Sequence, residues 1–138
     1  MITKMTHACV YVLNQDSALD FYTNKLGFKL VMNVPMGKDI RWLTVSPPEQ
    51  PELEITLFPV TVGNMFNAET AKAMTTLVKN GTFGPAVFSC NDIYATYEEL
   101  KAKGVEFTKA PKEEFYGIEA LFKDDSGNWF SLSQMKPA

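Results

Sequence analysis

The feature that most constrains this chain is that it repeats itself. HACVYV at residues 7–12 alternates as a strand with one buried face does, and Asn14, Gln15 and Asp16 follow as a cluster that includes helix-capping residues. Ala18, Phe21, Tyr22 and Leu26 then recur at i, i+3, i+4 and i+8, an apolar helix stripe that stops at Gly27. The same order returns further on: AVFSC at residues 86–90 as a strand, Asn91 and Asp92 as caps, Ile93, Tyr97 and Leu100 as the stripe, and Gly104 as the stop. Each helix is followed by more strand-like runs, at residues 28–31, 41–45 and 53–58 in the first half and 105–108, 119–123 and 129–133 in the second. Each half therefore reads as βαβββ, with a last hairpin marked by the turn-forming run Asp124, Asp125, Ser126, Gly127 and Asn128. Between the halves, residues 59–84 form a connector with an expected helix capped by Asn67, its apolar face made by Ala71, Met74, Leu77 and Val78, and with an expected second role as a lid.

Composition narrows what such a chain does. Its 138 residues and 15.5 kDa suit one compact domain or two small fused modules, and 46% hydrophobic residues suffice for a core without staples. With 13 basic against 16 acidic residues the net charge is −3, so there is no basic field for nucleic acid. The apolar run at residues 8–13 is far shorter than the roughly 20 residues that span a bilayer, so no membrane partner is expected. One histidine, His7, and two cysteines, Cys9 and Cys90, exclude a zinc finger and a disulfide framework, and the cysteines suggest a reducing compartment. The expectation is a soluble cytoplasmic protein. No glycine-rich phosphate loop and no Gly-x-Ser-x-Gly elbow are present, so neither a nucleotide cofactor nor a serine nucleophile is implied. The charges Lys101, Lys103, Lys109, Lys112, Glu113 and Glu114 read most simply as a solvated face.

Strand alternation assigns faces, because a helix lying on a sheet needs apolar side chains beneath it. Ala8, Val10 and Val12 go under the first helix, which turns His7, Cys9 and Tyr11 to the other side. Ile55 and Leu57 likewise leave Glu54, Thr56 and Phe58 on that side, and Leu43 and Val45 leave Trp42 and Thr44. In the second half Ala86, Phe88, Cys90, Phe130 and Leu132 face the helix, and Pro85, Val87, Ser89, Trp129, Ser131 and Ser133 face away.

The runs FYTNKLGF (residues 21–28), LEITLF (53–58), ELKAKGVEF (99–107) and DDSGNWFSL (124–132) resemble the vicinal oxygen chelate superfamily, which holds glyoxalase I, bleomycin-resistance proteins and extradiol dioxygenases. Asp125 stands where that family's Asp-Pro-Asp-Gly-Asn signature has proline. The resemblance implies an α+β fold in which two tandem βαβββ units form a half-open β cup with the helices outside. It implies a single domain over residues 1–138, with unit one at about 1–60, a connector at about 61–83 and unit two at about 84–138, and pairing into a homodimer.

Glyoxalase-like members hold a divalent ion with two side chains from each unit. By that resemblance His7 and Glu54 match the first pair, while Pro85 and Ser131 replace the second. Proline has no donor atom and a neutral hydroxyl is a poor transition-metal ligand, so the set is a partial remnant and no cofactor is expected. One reading is then a small-molecule-binding protein whose ligand is planar and partly apolar, held by Tyr11, Trp42, Phe58, Trp129 and Ser131. The alternative is a metal-dependent lyase, isomerase or dioxygenase of glyoxalase type, with the ion on the catalytic candidates His7 and Glu54 plus Cys9, Glu52 or Glu119. Glu54 alone as a general base, His7 as a wall residue bonded to Glu54 without chemistry, and an interaction module without a ligand stay open beside these.

Overall fold

The computed structural model describes residues 1–63 and 65–136. The chain divides into two compact units, Met1–Thr76 and Leu77–Ala138. The first contains β1 (His7–Val12), α1 (Gln15–Asp20) continued by a π-helical turn (Phe21–Lys25), β2 (Lys29–Gly37), β3 (Ile40–Ser46) and β4 (Glu54–Pro59). Helix α2 (Ala68–Lys79) runs across the division. The second unit contains β5 (Ala86–Ser89), α3 (Ile93–Ala102), β6 (Glu106–Glu114), β7 (Gly117–Lys123) and β8 (Trp129–Met135). Each unit has one four-stranded sheet, ordered β1-β4-β3-β2 in the first and β5-β8-β7-β6 in the second. The first and last strands of each unit run parallel, and the other pairings are antiparallel. This is an α+β fold of two tandem βαβββ units.

Local chemistry starts each helix where the sequence has a short polar side chain. Asn14 Oδ1 accepts from the Ser17 amide at 2.8 Å, Asn67 Oδ1 from Thr70 at 2.8 Å and Asp92 Oδ1 from Ala95 at 3.1 Å, each cap contributing about 1 kcal/mol. Gly27 and Gly104 end the helices of the two repeats at φ +75° and +90°, conformations that a Cβ penalises.

The helix of the first repeat departs from the uniform stripe expected over residues 18–26. The Leu26 amide bonds to the Phe21 carbonyl at 3.1 Å, a π-type closure, and Thr23 Oγ1 donates back to the Leu19 carbonyl at 2.6 Å. The wider turn accommodates two consecutive buried rings, Phe21 and Tyr22, whose centroids lie 5.3 Å apart. In α2, Ala71 and Val78 are buried as expected, but Leu77 is exposed: 71, 74, 75 and 78 make one stripe at helical spacing, and position 77 falls outside it.

In each sheet one face carries the core. Helix α1 packs on β3 and β4, where Leu43, Val45, Ile55 and Leu57 are buried together with Val10 and Val12 of β1. Gln15, itself buried, fastens the start of α1 to this sheet: its Nε2 donates to the Arg41 and Leu57 carbonyls at 2.7 and 3.0 Å, and its Oε1 accepts from the Arg41 amide at 3.0 Å. Helix α3 covers β6, β7 and β8 over Phe88, Phe122 and Phe130, which stack with centroids 5.0 to 6.3 Å apart. These contacts leave the opposite face of each sheet for polar and aromatic side chains.

Candidate functional site

The first unit's face away from α1 is set by the parallel register of β1 on β4, which places His7 opposite Glu54, Cys9 opposite Thr56 and Tyr11 opposite Phe58. Thr44 of β3 stands opposite Thr56, which adds Trp42 and Thr44 to the same face. Glu54 is held from two sides. Thr44 Oγ1 donates to its Oε1 at 2.8 Å, and His7 Nε2 lies 3.3 Å from its Oε2. His7 Nδ1 is 2.8 Å from Thr6 Oγ1, so the chain Thr6–His7–Glu54–Thr44 closes when Nε2 carries the imidazole proton and the Thr6 hydroxyl donates to Nδ1. The His7 and Trp42 rings lie 5.9 Å apart. Tyr11 meets Phe58 at 6.4 Å and Phe66 at 5.7 Å, both edge to face. The structure thus brings His7, Tyr11, Trp42, Glu54 and Phe58 onto one face of one sheet. The Cys9 thiol lies on that face too, and burial pushes its pKa up despite an opposing hydrogen bond to Tyr11.

The second unit's corresponding face carries different chemistry. Ser131 Oγ donates to Glu119 Oε2 at 2.7 Å and lies 3.2 Å from the Ser133 hydroxyl. Lys109 Nζ donates to Glu119 Oε1 at 2.9 Å and to Glu114 Oε1 at 3.0 Å. The hydrogen bond from Ser131, and then that from Lys109, hold the Glu119 carboxyl below its usual range. Its bonds to Glu119 and Glu114 raise the Lys109 ammonium, and Glu119 likewise raises the Tyr116 phenol. Lys109 and Glu114, which the charge run placed on a solvated face, are therefore engaged: Lys109 bonds along β6 to Glu114 and across to Glu119 of β7. The signal that would have found them is the register of β6 on β7, where Lys109 stands opposite Leu121 and shares a sheet face with Glu119. Trp129 lies at the start of β8 on this face and is 37% exposed.

Register also compares the two units position by position. His7 lies seven residues before the cap Asn14, as Pro85 does before the cap Asp92. Ser131, however, stands opposite Val87, the counterpart of Cys9, so it corresponds to Thr56. Trp129, two residues earlier, is the residue in the place of Glu54. A catalytic zinc site needs about three protein donors and an open position. Among the described residues no three His, Cys, Asp or Glu side chains are grouped so as to hold an ion. Glu119 is in the second unit's network, and Glu52 lies before β4 in a turn.

A separate recess of about 510 Å³ in the first unit lies at the start of α1, among Asn14, Asp16, Asp39, Arg41 and Thr61, away from the aromatic side chains. Arg41 Nη1 is 2.7 Å from Asp16 Oδ1, and its buried Nε has no hydrogen-bond partner.

A tandem pair of βαβββ units with polar and aromatic groups on the helix-free sheet faces defines a class, and comparison with known proteins agrees. The sequence pattern of the Glyoxalase/Bleomycin resistance protein/Dioxygenase superfamily matches residues 4–132. The chain is 35% identical over 134 residues to YetH of Bacillus subtilis strain 168, covering 97% of this chain and all of that one. Among solved structures it is similar to UcmS2, with a TM-score of 0.91, 41% identity and coverage of 96% of this chain and 98% of that one. It is also similar to TnmS3, an antibiotic binding protein from Streptomyces sp. CB03234, with a TM-score of 0.76, 26% identity and 98% coverage of both. The chain belongs to the Glyoxalase/Bleomycin resistance protein/Dioxygenase superfamily.

Proposed function

We propose that this protein binds a planar, partly apolar small molecule on the helix-free sheet face of its first unit, through Tyr11, Trp42 and Phe58, with Trp129 and Ser131 as the candidates on the second unit's own face, and does so without a tightly held metal ion. The observation that carries the reading is the aromatic set on the first unit's face beside a carboxylate whose two oxygens already have protein partners. Rings so placed offer dispersion and edge contacts to a flat guest, and Glu54 sits in a closed hydrogen-bond chain. Similarity to an antibiotic binding protein supports the same direction. A second reading, a metal-dependent lyase, isomerase or dioxygenase, is favoured by one observation, the 3.3 Å approach of His7 Nε2 to Glu54 Oε2, and turns on the metal content of the purified protein.

The test is thermal unfolding with uncharged flat aromatics such as acridone and flavone. A guest at 100 times its Kd stabilises by about 2.7 kcal/mol, which raises the Tm of a chain of this length by about 9 °C. Trp42→Ala is expected to abolish most of the rise while leaving the ligand-free melt cooperative. A panel of such compounds that leaves Tm unmoved removes the proposal.

A further inference from the structure

The outer strands of the two sheets differ in chemistry. Strand β6, last in the second sheet, opens two residues after Gly104 and carries Glu106, Lys109, Lys112, Glu113 and Glu114 among its nine residues. Charges of this kind blunt an outer strand, because bringing it against an apolar surface would strip them of water. Strand β2 holds the same place in the first sheet, two residues after Gly27 and nine residues long, yet from Leu30 to Gly37 it has no charged side chain. Where β6 has Lys109, bonded to two glutamates, β2 has Met32. Leu30, Val31, Met32, Val34 and Met36 are 42 to 52% exposed. A contiguous apolar run left open to water marks a surface on which something lies.

Register shows which of these side chains share a face with the aromatic set. Val34 stands opposite Trp42 and Met32 opposite Thr44, so both lie on the helix-free face. Leu30 stands opposite Val45, which is buried on the α1 side, and so lies on the other face. At the β1 end of the aromatic set the rings are already covered: Tyr11 is met edge to face by Phe58 and by Phe66, itself buried. The β2 end is open. Val34 is directly beside Trp42, with about 5 Å between Cβ atoms, and Met32 lies diagonally at about 7 Å, within reach of a long side chain. A flat guest resting on the indole therefore gains apolar contact on the β2 side, and the flexible thioether of Met32 fits itself to ring edges of varied outline.

We infer that the first unit's site extends onto β2, where Val34 and Met32 are binding residues that take the apolar edge of an uncharged aromatic guest. The inference rests on the small-molecule reading above and adds the strand and the two side chains through which the guest is gripped.

The experiment uses acridone, whose own fluorescence anisotropy rises when it is bound. The doubled variant Met32→Ala, Val34→Ala loses the contacts made on β2 and is expected to bind acridone about tenfold more weakly than the native protein. Both side chains are exposed, so its melt without acridone should stay cooperative. Leu30→Ala removes an equally exposed apolar side chain from the other face of the same strand and should leave the affinity within about twofold. Light scattering should give the doubled variant the same mass as the native protein. A mass that differs assigns β2 to a contact between copies of the chain and overturns the inference, as does a loss of affinity that Leu30→Ala reproduces. If Trp42→Ala abolishes acridone binding while the doubled variant binds like the native protein, this inference fails and the small-molecule reading stands; if the native protein binds no acridone and no other flat aromatic, both fail.

Discussion

Ser131 acts through its neighbour. Its hydroxyl is the largest cause of the lowered Glu119 pKa, ahead of Lys109. A carboxyl whose pKa is lower folded than unfolded contributes stability that is present above the unfolded value and disappears as the pH falls through the folded one. Ser131→Ala removes the main cause, so the variant should be about 1 kcal/mol less stable near neutral pH, and the Tm gap to the native protein should close below the carboxylate range. Thermal melts across the acid limb check this. A gap that persists undiminished in acid means that the hydroxyl contributes by packing and not through the charge on Glu119. Strand alternation alone put Ser131 on the same face as Ser133. Its partner was not legible from sequence, because Glu119 lies on the adjacent strand and only the register of β7 on β8 brings the two together. Gly84 was equally silent: nothing in its neighbours shows that an indole from a strand 45 positions on lies across it.

Elements were legible where one face is buried and blurred where neither is. The runs at residues 7–12, 53–58 and 129–133 alternate because their apolar members meet a helix, and they match β1, β4 and β8 to within two residues at either end. Strand β2 extends to Gly37, well past residue 31, since all of its residues are exposed and burial imposes no alternation on Asn33, Pro35 or Met36. The turn before β8 was legible by composition, and the structure gives the cause. Asp124 Oδ1 accepts from the amides of Ser126, Gly127 and Asn128, each at 2.9 Å, and its Oδ2 takes the Asn128 side-chain amide at 3.0 Å. Gly127 is required within this turn: its φ is +117°, and a Cβ there would fall 2.5 Å from the Val78 carbonyl and 3.0 Å from that of Lys79. The turn and the C-terminal end of α2 therefore pack backbone to backbone. Gly127→Ala should cost about 2 kcal/mol through strain at that φ and displacement of the α2 end, read as a lower midpoint in urea with an unchanged slope. An unchanged midpoint would show that α2 yields without loss.

Over the whole molecule, one βαβββ plan is used twice with different polar chemistry on the helix-free faces. The first copy sets His7 and Glu54 together; the second has Pro85 and Trp129 at those places, and Ser131 at the place of Thr56. Repetition was legible from the spacing of caps, stripes and glycine stops, and the superfamily follows from it. The chelating chemistry was legible only in part, since the motif pairs Ser131 with Glu54 whereas cross-strand register pairs it with Thr56. On either alignment the second copy offers a proline in place of an imidazole and no carboxylate opposite it. Two donors, one of them already bonded to Thr44, hold a divalent ion weakly compared with the three or four of catalytic sites. Protein purified without chelators should therefore carry less than about one tenth of an equivalent of zinc, iron, manganese, nickel or cobalt per chain by elemental analysis. A chelator should leave the acridone-induced rise in Tm unchanged. A full equivalent of one of these ions, lost on His7→Ala, would replace the binding-protein reading with the metal-dependent enzyme.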